Sequence, residues 1–167
     1  MSETFNSYHV NNINANVLTP TVIVPNGIAG SNSITNTSTG SSGTRDVGSV
    51  CEIHSIFVSQ RKTNMTNGTV HLTSTADIIA GSPLPDEYQT EAQAVFFNIF
   101  VEEQGKKCYI AVDVMLPYQN SFYFDKTLTL LPAQSLNIEF IGKDDYRAGK
   151  NADSRIVDVF ASTADLT

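Results

Sequence analysis

Apolar and polar residues alternate along a series of short segments in the C-terminal half of the chain. The segments comprise residues 107–115, 121–124, 135–141 and 155–162, and residues typical of turns, such as Pro, Asn, Gly and Asp, separate them. Successive side chains of a β-strand point to opposite faces of a sheet, so this period of two predicts strands with one apolar face. A run of such strands predicts an antiparallel β-sandwich of the jelly-roll-like or Ig-like kind.

The same alternation begins earlier, in residues 49–59. The Asn67-Gly68 pair predicts a tight turn that joins this strand in a hairpin to residues 69–73. Residues 76–91 contain two prolines and no helical period, which predicts a long surface loop. Residues 92–101 are apolar on both faces, as in a central strand or a strand covered by a partner. No apolar repeat of 3.6 residues extends past a single turn, so little helix is expected.

The predicted core consists of the apolar positions that share one face in each strand. Removing these side chains from water is the main favourable contribution to folding, and some of them could instead face a subunit interface. They are Val50, Ile56, Val58, Val70, Leu72, Ile110, Val112, Val114, Leu136, Ile138, Phe140, Val157 and Val159.

Residues 1–25 are predicted to form an extended N-terminal arm. They contain two possible strands, residues 5–10 and 17–24, and Pro20 and Pro25 restrict the second to a sheet edge or to the arm. Such an arm could pack on a neighbouring subunit.

Residues 26–48 are rich in Gly, Ser, Thr and Asn. A segment of this kind buries too little apolar surface to offset the entropy lost on ordering. It is therefore predicted to be a linker or loop without regular structure, which lets the arm reach a neighbour. The sandwich domain then comprises residues 49–167.

Composition narrows the range of partners. The 167 residues suffice for one domain with a substantial core. Only 16% of them are charged and the net charge is −7, against about 25% charged residues in an average protein. An acidic chain without a basic stripe repels phosphate, so no direct nucleic-acid partner is expected. No apolar stretch is long enough to span a bilayer and no signal peptide is evident, which predicts a soluble chain that is not exported.

Candidate catalytic residues are few. A hydrolase would need a Ser or Cys nucleophile held against a His, but Cys51 and His54 stand three apart on a strand and should face opposite sides. His71 falls on the wetter face of its strand. Cys51 and Cys108, the only cysteines, lie in apolar strand patterns and are predicted to be reduced core residues. No catalytic residue is therefore expected, although a small hydrolase stays an alternative.

The segment 142–153 is the nearest candidate for a cation site. It carries Asp144, Asp145 and Asp153, whose carboxylates could bind Ca²⁺, but the spacing is not that of an EF-hand loop. An ordinary solvated turn is the favoured interpretation. No glycine-rich phosphate-binding loop is present, so no cofactor is expected.

Aromatic residues are the remaining signal. Phe122, Tyr123 and Phe124 follow closely on Tyr118, and together with other aromatics they exceed what one face of a small sheet needs. Tyr118, Phe122 and Tyr123 are therefore predicted to contact another protein. Stacking of sugar rings on Tyr118 or Tyr123 is an alternative.

Several strands and steps follow one another in a characteristic order between residues 50 and 166. They are Ile53-His-Ser-Ile-Phe-Val58, Thr69-Val-His-Leu72, Tyr109-Ile-Ala-Val-Asp113, the Leu116-Pro117 to Ser121-Phe122 step, the step from Leu131 to Ile138, and Val157-Asp-Val-Phe-Ala-Ser162. In this pattern residues 50 to 166 resemble a loosely defined group of small β-sandwich virion proteins of tailed bacteriophages. The N-terminal arm and the segment 76–91 depart from the pattern.

The resemblance implies a non-enzymatic structural protein of the virion. Members of the group look like capsid decoration or cement, neck or tail components, so the expected partners are other virion proteins and further copies of the chain. The expected location is the virion, after synthesis in the host cytoplasm. The alternative function is a carbohydrate- or receptor-binding module of a tail fibre.

Overall fold

The computed structural model describes residues 2–15, 17–34, 43–60, 94–117, 120–124, 127–141 and 156–167. These ranges contain strands and no helix, as the alternation predicts. Nine strands are present in them: β1 (Glu3–Asn14), β2 (Thr21–Val24), β3 (Val50–Gln60), β4 (Val95–Glu103), β5 (Lys106–Leu116), β6 (Ser121–Phe124), β7 (Leu128–Leu130), β8 (Ser135–Phe140) and β9 (Ile156–Leu166).

The strands form two antiparallel sheets that pack against each other, so the predicted β-sandwich is confirmed. The front sheet has the order β1-β9-β3-β6, and β7 also pairs with β3. The back sheet has the order β2-β8-β4-β5. As predicted for an apolar strand, β4 is central and has a neighbour on both sides.

The core between the sheets contains most of the predicted residues. Alternate positions of each strand point inward, and one cluster of buried side chains fills the space between the sheets. Val50 is half-buried, and Val70 and Leu72 lie outside the described residues. The predicted residues found buried are Ile56, Val58, Leu136, Ile138, Phe140, Val157 and Val159.

Strand β5 departs from the prediction. Ile110 and Val114 are half-buried, and Val112 is 63% exposed rather than buried. Among the described strands β5 pairs only with β4, so it is an edge of its sheet. Its register against β4 shifts twice, and Asp113 has a φ of +55°. These bulges break the alternation of inward and outward side chains that the sequence pattern presupposes.

The arm predicted for residues 1–25 is instead part of the two sheets of its own chain. β1 pairs with β9 from Glu3 to Asn14, and Thr21 to Val24 pair with β8. Tyr8, Val10 and Ile23 from these strands are buried in the core. The prolines that flank β2 are compatible with its place at the edge of the back sheet.

The segment 43–48, predicted to belong to a linker without regular structure, is held against the sandwich. The Arg45 side chain is fully buried. Its guanidinium donates hydrogen bonds to backbone carbonyls of Pro25 (3.0 Å), Gln134 (2.6 Å) and Ser49 (2.7 Å), and also to those of the β7–β8 connection. A buried cation is tolerated where its donors are satisfied, and this one joins three loops. Residues 35–42 lie outside the described residues.

Other predicted features also lie outside the described residues. They are the hairpin partner at 69–73, the loop at 76–91 and the aspartate-rich segment 142–153. The possible cation site therefore stays a prediction.

Candidate interaction site on the front sheet

The outer face of the front sheet carries the most distinctive surface of the described chain. In β3 and β9 the side chains of Val58 and Val159 point into the core, so Phe57 and Phe160 point outward. An outward position of a sheet that faces water is usually polar. Large aromatic side chains at such positions therefore need an explanation other than the core.

These aromatic side chains lie side by side across four strands. The backbone register places His9 of β1 opposite Phe160 of β9, Phe160 opposite Phe57 of β3, and Phe57 opposite Tyr123 of β6. We call these four residues the aromatic row. At the usual spacing of about 4.8 Å between strands, the row is roughly 14 Å long.

The rings of the row are accessible to solvent. Phe57 is 39% exposed, Phe160 43% and Tyr123 60%. His9 is half-buried, and its ring stacks on that of Phe160 with 6.3 Å between centroids and 16° between planes. The row therefore presents apolar and aromatic surface outward from a fixed backbone.

Short polar side chains border the row on both sides. On one side, Ser7, Ser162 and Ser55 form the next set of register neighbours. Because serine side chains are short, they leave the rings standing above the surrounding surface.

On the other side of the row, Ser59 pairs with Asp158 and with Ser121. The Ser121 hydroxyl lies 3.3 Å from the Ser59 hydroxyl, and one Asp158 carboxylate oxygen accepts a hydrogen bond of 2.9 Å from the Asn12 N–H. A cleft of about 510 Å³ opens along this border. Its lining consists of His9, Asn11, Phe57, Ser59, Asp158, Val159 and Phe160.

The three residues predicted to contact a partner fall in different places. Tyr123 belongs to the aromatic row. Phe122 points to the opposite side of β6 and packs edge-on against the core ring of Phe97, with 5.6 Å between centroids. Tyr118 lies outside the described residues. The structure thus brings Tyr123 together with Phe57, Phe160 and His9, which the sequence analysis did not select.

A signal for the missed residues exists in the sequence. Phe57 occupies a polar-face position in Ser55-Ile-Phe-Val-Ser59, and Phe160 does so in Val157-Asp-Val-Phe-Ala161. An aromatic residue at a position of an alternating strand that is otherwise polar is expected to have its ring on the surface. What the pattern lacks is the register that places the two rings next to each other.

Of the residues considered for catalysis, Cys51 and His54 are described, and they do not come together in a site. Cys51 is buried and His54 is exposed, so they do face opposite sides. Burial, and secondarily the nearby Asp165 carboxylate, raises the pKa of the Cys51 thiol to about 12, so the thiol stays protonated at neutral pH and is a poor nucleophile. His71 lies outside the described residues.

The prediction of two core cysteines is half wrong. Cys51 is a buried free thiol, whereas Cys108 is a free thiol on the surface. The difference arises because Cys108 lies in β5, at the edge of the back sheet.

The described ranges contain neither a metal-binding cluster nor a membrane-spanning helix. In that part of the chain, no three His, Cys, Asp or Glu residues lie close enough together to hold a metal ion. The same ranges contain no helix with the length and hydropathy needed to cross a bilayer.

Comparison with known proteins does not assign the chain to a family. It matches no protein-family model, and no curated protein is significantly similar to it in sequence.

Proposed function

We propose that this chain is a non-enzymatic structural protein of a bacteriophage virion, either a capsid decoration or cement protein or a component of the neck or tail. It binds neighbouring virion proteins through the aromatic row. The assignment to a virion rests on the resemblance of residues 50 to 166, and the binding role rests on the row.

The observation that supports binding is the alignment of four aromatic side chains on a face that the core does not use. Aromatic residues dominate the energetics of protein interfaces because they bury a large area with few rotatable bonds. Each exposed ring that a partner covers gains apolar burial, while the flanking serines supply hydrogen bonds at the rim. The low content of charged residues, 16%, suits a surface that meets other proteins.

The acidity of the chain supports a protein partner rather than nucleic acid. With 10 basic and 17 acidic residues, the chain has no excess of cations to neutralise phosphates. Direct contact with packaged DNA is therefore not part of the proposal, and neither is membrane binding.

The test is incorporation into particles. Phe57→Ser and Tyr123→Ser, made together, remove two adjacent rings, one of them central, and extend the serine pattern already present on this face. Truncating a central interface aromatic typically costs about 2 kcal/mol or more of binding, so we expect the double variant to be at least tenfold depleted from purified virions.

The matched control is Val112→Ser. Val112 lies on β5 of the back sheet and is 63% exposed, so it stands away from the outer face of the front sheet. The control variant should be incorporated like wild type. Equal occupancy of all three proteins would remove the row from the interface, and absence of the wild-type protein from virions would refute the proposed function.

A second candidate is a carbohydrate- or receptor-binding module of a tail fibre. The cleft beside the row favours it, since sugars stack on aromatic rings and donate hydrogen bonds to carboxylate and amide oxygens. Phe160, Asp158 and Asn11 provide these groups in one cleft. Binding on a glycan array that Phe160→Ser abolishes would support this candidate, and no binding to any glycan would exclude it.

A further inference from the structure

The geometry points to a second copy of this chain as the neighbour that covers the aromatic row. The inference rests on the proposed function and makes it more specific, because it identifies the first partner of the row. In the arrangement we infer, the front sheets of two copies pack face to face about a two-fold axis that runs parallel to the strands.

Charge is the first argument. A copy of this chain carries a net charge of −7, so two copies repel each other unless they meet where acidic groups are sparse. Among the described residues, the aromatic row and its two bordering rows contain a single acidic side chain, Asp158, and no Lys or Arg. This face is therefore one at which like copies can approach.

The order of residues along the row is the second argument. A two-fold axis parallel to the strands reverses the row in the second copy. The central Phe160 then faces Phe57 of that copy, and the outer His9 faces its Tyr123. Apolar rings meet apolar rings at the centre, and at each end a tyrosine hydroxyl meets an imidazole, a pair that can share a hydrogen bond.

The same two-fold axis also keeps the two Asp158 carboxylates of the dimer apart. Reversal places Asp158 opposite Ser59 of the second copy, because these two residues are register neighbours in the row that borders the rings. The two carboxylates of the dimer therefore avoid each other, and each faces a hydroxyl donor. On the other side of the rings, reversal places Ser162 opposite Ser55 of the second copy.

Size is the third argument. The front sheet consists of three strands of eleven or twelve residues, β1, β9 and β3, with the short β6 and β7 beside β3. At about 4.8 Å between strands and about 3.3 Å rise per residue, its outer face measures roughly 650 Å². Covering it in both copies removes about 1,300 Å², which is within the range of specific interfaces. Sheets that pack with nearly aligned strands are also a common arrangement in proteins.

The first experiment measures the mass of the purified full-length protein by sedimentation equilibrium over a range of concentrations. We expect a dimer for wild type, at least a tenfold weaker dimer for Phe57→Ser and for Phe160→Ser, and wild-type behaviour for Val112→Ser, whose side chain is exposed on the back sheet. A thermal melt of each variant verifies that it is folded. A wild-type protein that is monomeric at every concentration would overturn the inference.

The second experiment tests the axis. In a Cys108→Ser background, which removes the exposed thiol, His9→Cys and Tyr123→Cys proteins are prepared separately and treated with a short bismaleimide cross-linker. The reversed row predicts cross-linked dimers only when the two proteins are mixed. Cross-linking of each variant with itself would overturn the proposed axis, because it requires an unreversed row.

Different results would refute the dimer and the proposed virion function. A monomeric protein that still enters virions through the aromatic row would refute the dimer and leave the proposed function standing. A dimer whose protein is absent from virions would refute the function and leave the dimer standing. A monomer that binds a glycan through Phe160 would refute the dimer and favour the second candidate.

Discussion

The two sheets differ in whether other side chains cover the aromatic rings on their outer faces. On the back sheet, Phe100 points away from the core and yet is completely buried. The Lys107 ammonium lies 4.7 Å from the centre of its ring, and the Tyr109 ring lies 5.4 Å away. Glu139 binds both covering side chains, at 3.0 Å from the Tyr109 hydroxyl and 3.5 Å from the Lys107 ammonium.

On the front sheet, no such cover lies over the aromatic row among the described residues. Phe57 and Phe160 have serines as diagonal neighbours where Phe100 has a lysine. A long amphipathic side chain can shield an apolar ring while its charged end stays in water. Within the described residues this device is present on one sheet and not on the other, which is what a ring reserved for a partner requires.

The largest expected difference is in folding stability. Phe100→Ala should lower the free energy of unfolding by about 3 kcal/mol, because it leaves a cavity beneath Lys107 and Tyr109. Phe160→Ala, measured in the monomer at low concentration, should cost less than about 1 kcal/mol, since its ring is already partly in water. Denaturant unfolding of both variants provides the measurement, and equal losses would abolish the contrast between the two faces.

Lysine substitutions can place a similar cover over the aromatic rings of the front sheet. Ser7→Lys and Ser121→Lys place lysines diagonal to Phe160 and Phe57, as Lys107 is placed relative to Phe100. The double variant should stay folded and dimerise at least tenfold more weakly, because the lysines shield the rings. Val112→Lys combined with Met115→Lys adds the same charge at two exposed positions of the back sheet and is the control. Unchanged dimerisation would show that the row is not the contact surface.

Removing the cover from the back sheet should have a smaller effect. Lys107→Ala deletes the cation over Phe100, a contact of about 0.5–1 kcal/mol at an exposed site. Lys106→Ala is the matched control, because Lys106 lies next to it in the same strand and has no ring contact of this kind. Denaturant midpoints of the two variants give the comparison. A loss for Lys106→Ala as large as that for Lys107→Ala would mean that net charge, and not the cover, is responsible.

The smallest expected effect is a shift in an ionisation. The hydrogen bond to Glu139 is the main cause that raises the pKa of Tyr109 above its ordinary value. The protonated hydroxyl is thus favoured by the fold, so its stabilising contribution is complete below about pH 10 and is lost as the pH rises through the folded pKa. In a spectrophotometric titration, Glu139→Gln should make one tyrosine ionise at lower pH, and that signal should vanish in Tyr109→Phe. An unchanged titration in Glu139→Gln would contradict the hydrogen bond.

Most strands could be predicted because their signal is local. Residues 49–59, 121–124 and 135–141 agree with β3, β6 and β8 to within one residue at each end, since alternation of apolar and polar side chains is written directly in the sequence. The predictions that were wrong concern which strands lie next to each other in the sheets. Val112 alternates like a core residue but lies at a bulged edge, and the N-terminal residues assigned to an arm find β8 and β9 in their own chain.

The binding surface shows the same division between local and non-local information. The sequence by itself determined that the protein is a sandwich of short antiparallel strands and that more aromatic residues exist than its core requires. Only the tertiary structure decided which of them stand together, because His9, Phe57, Tyr123 and Phe160 come from four strands that are distant along the chain. Register between such strands depends on the packing of whole sheets, so no local pattern can specify it.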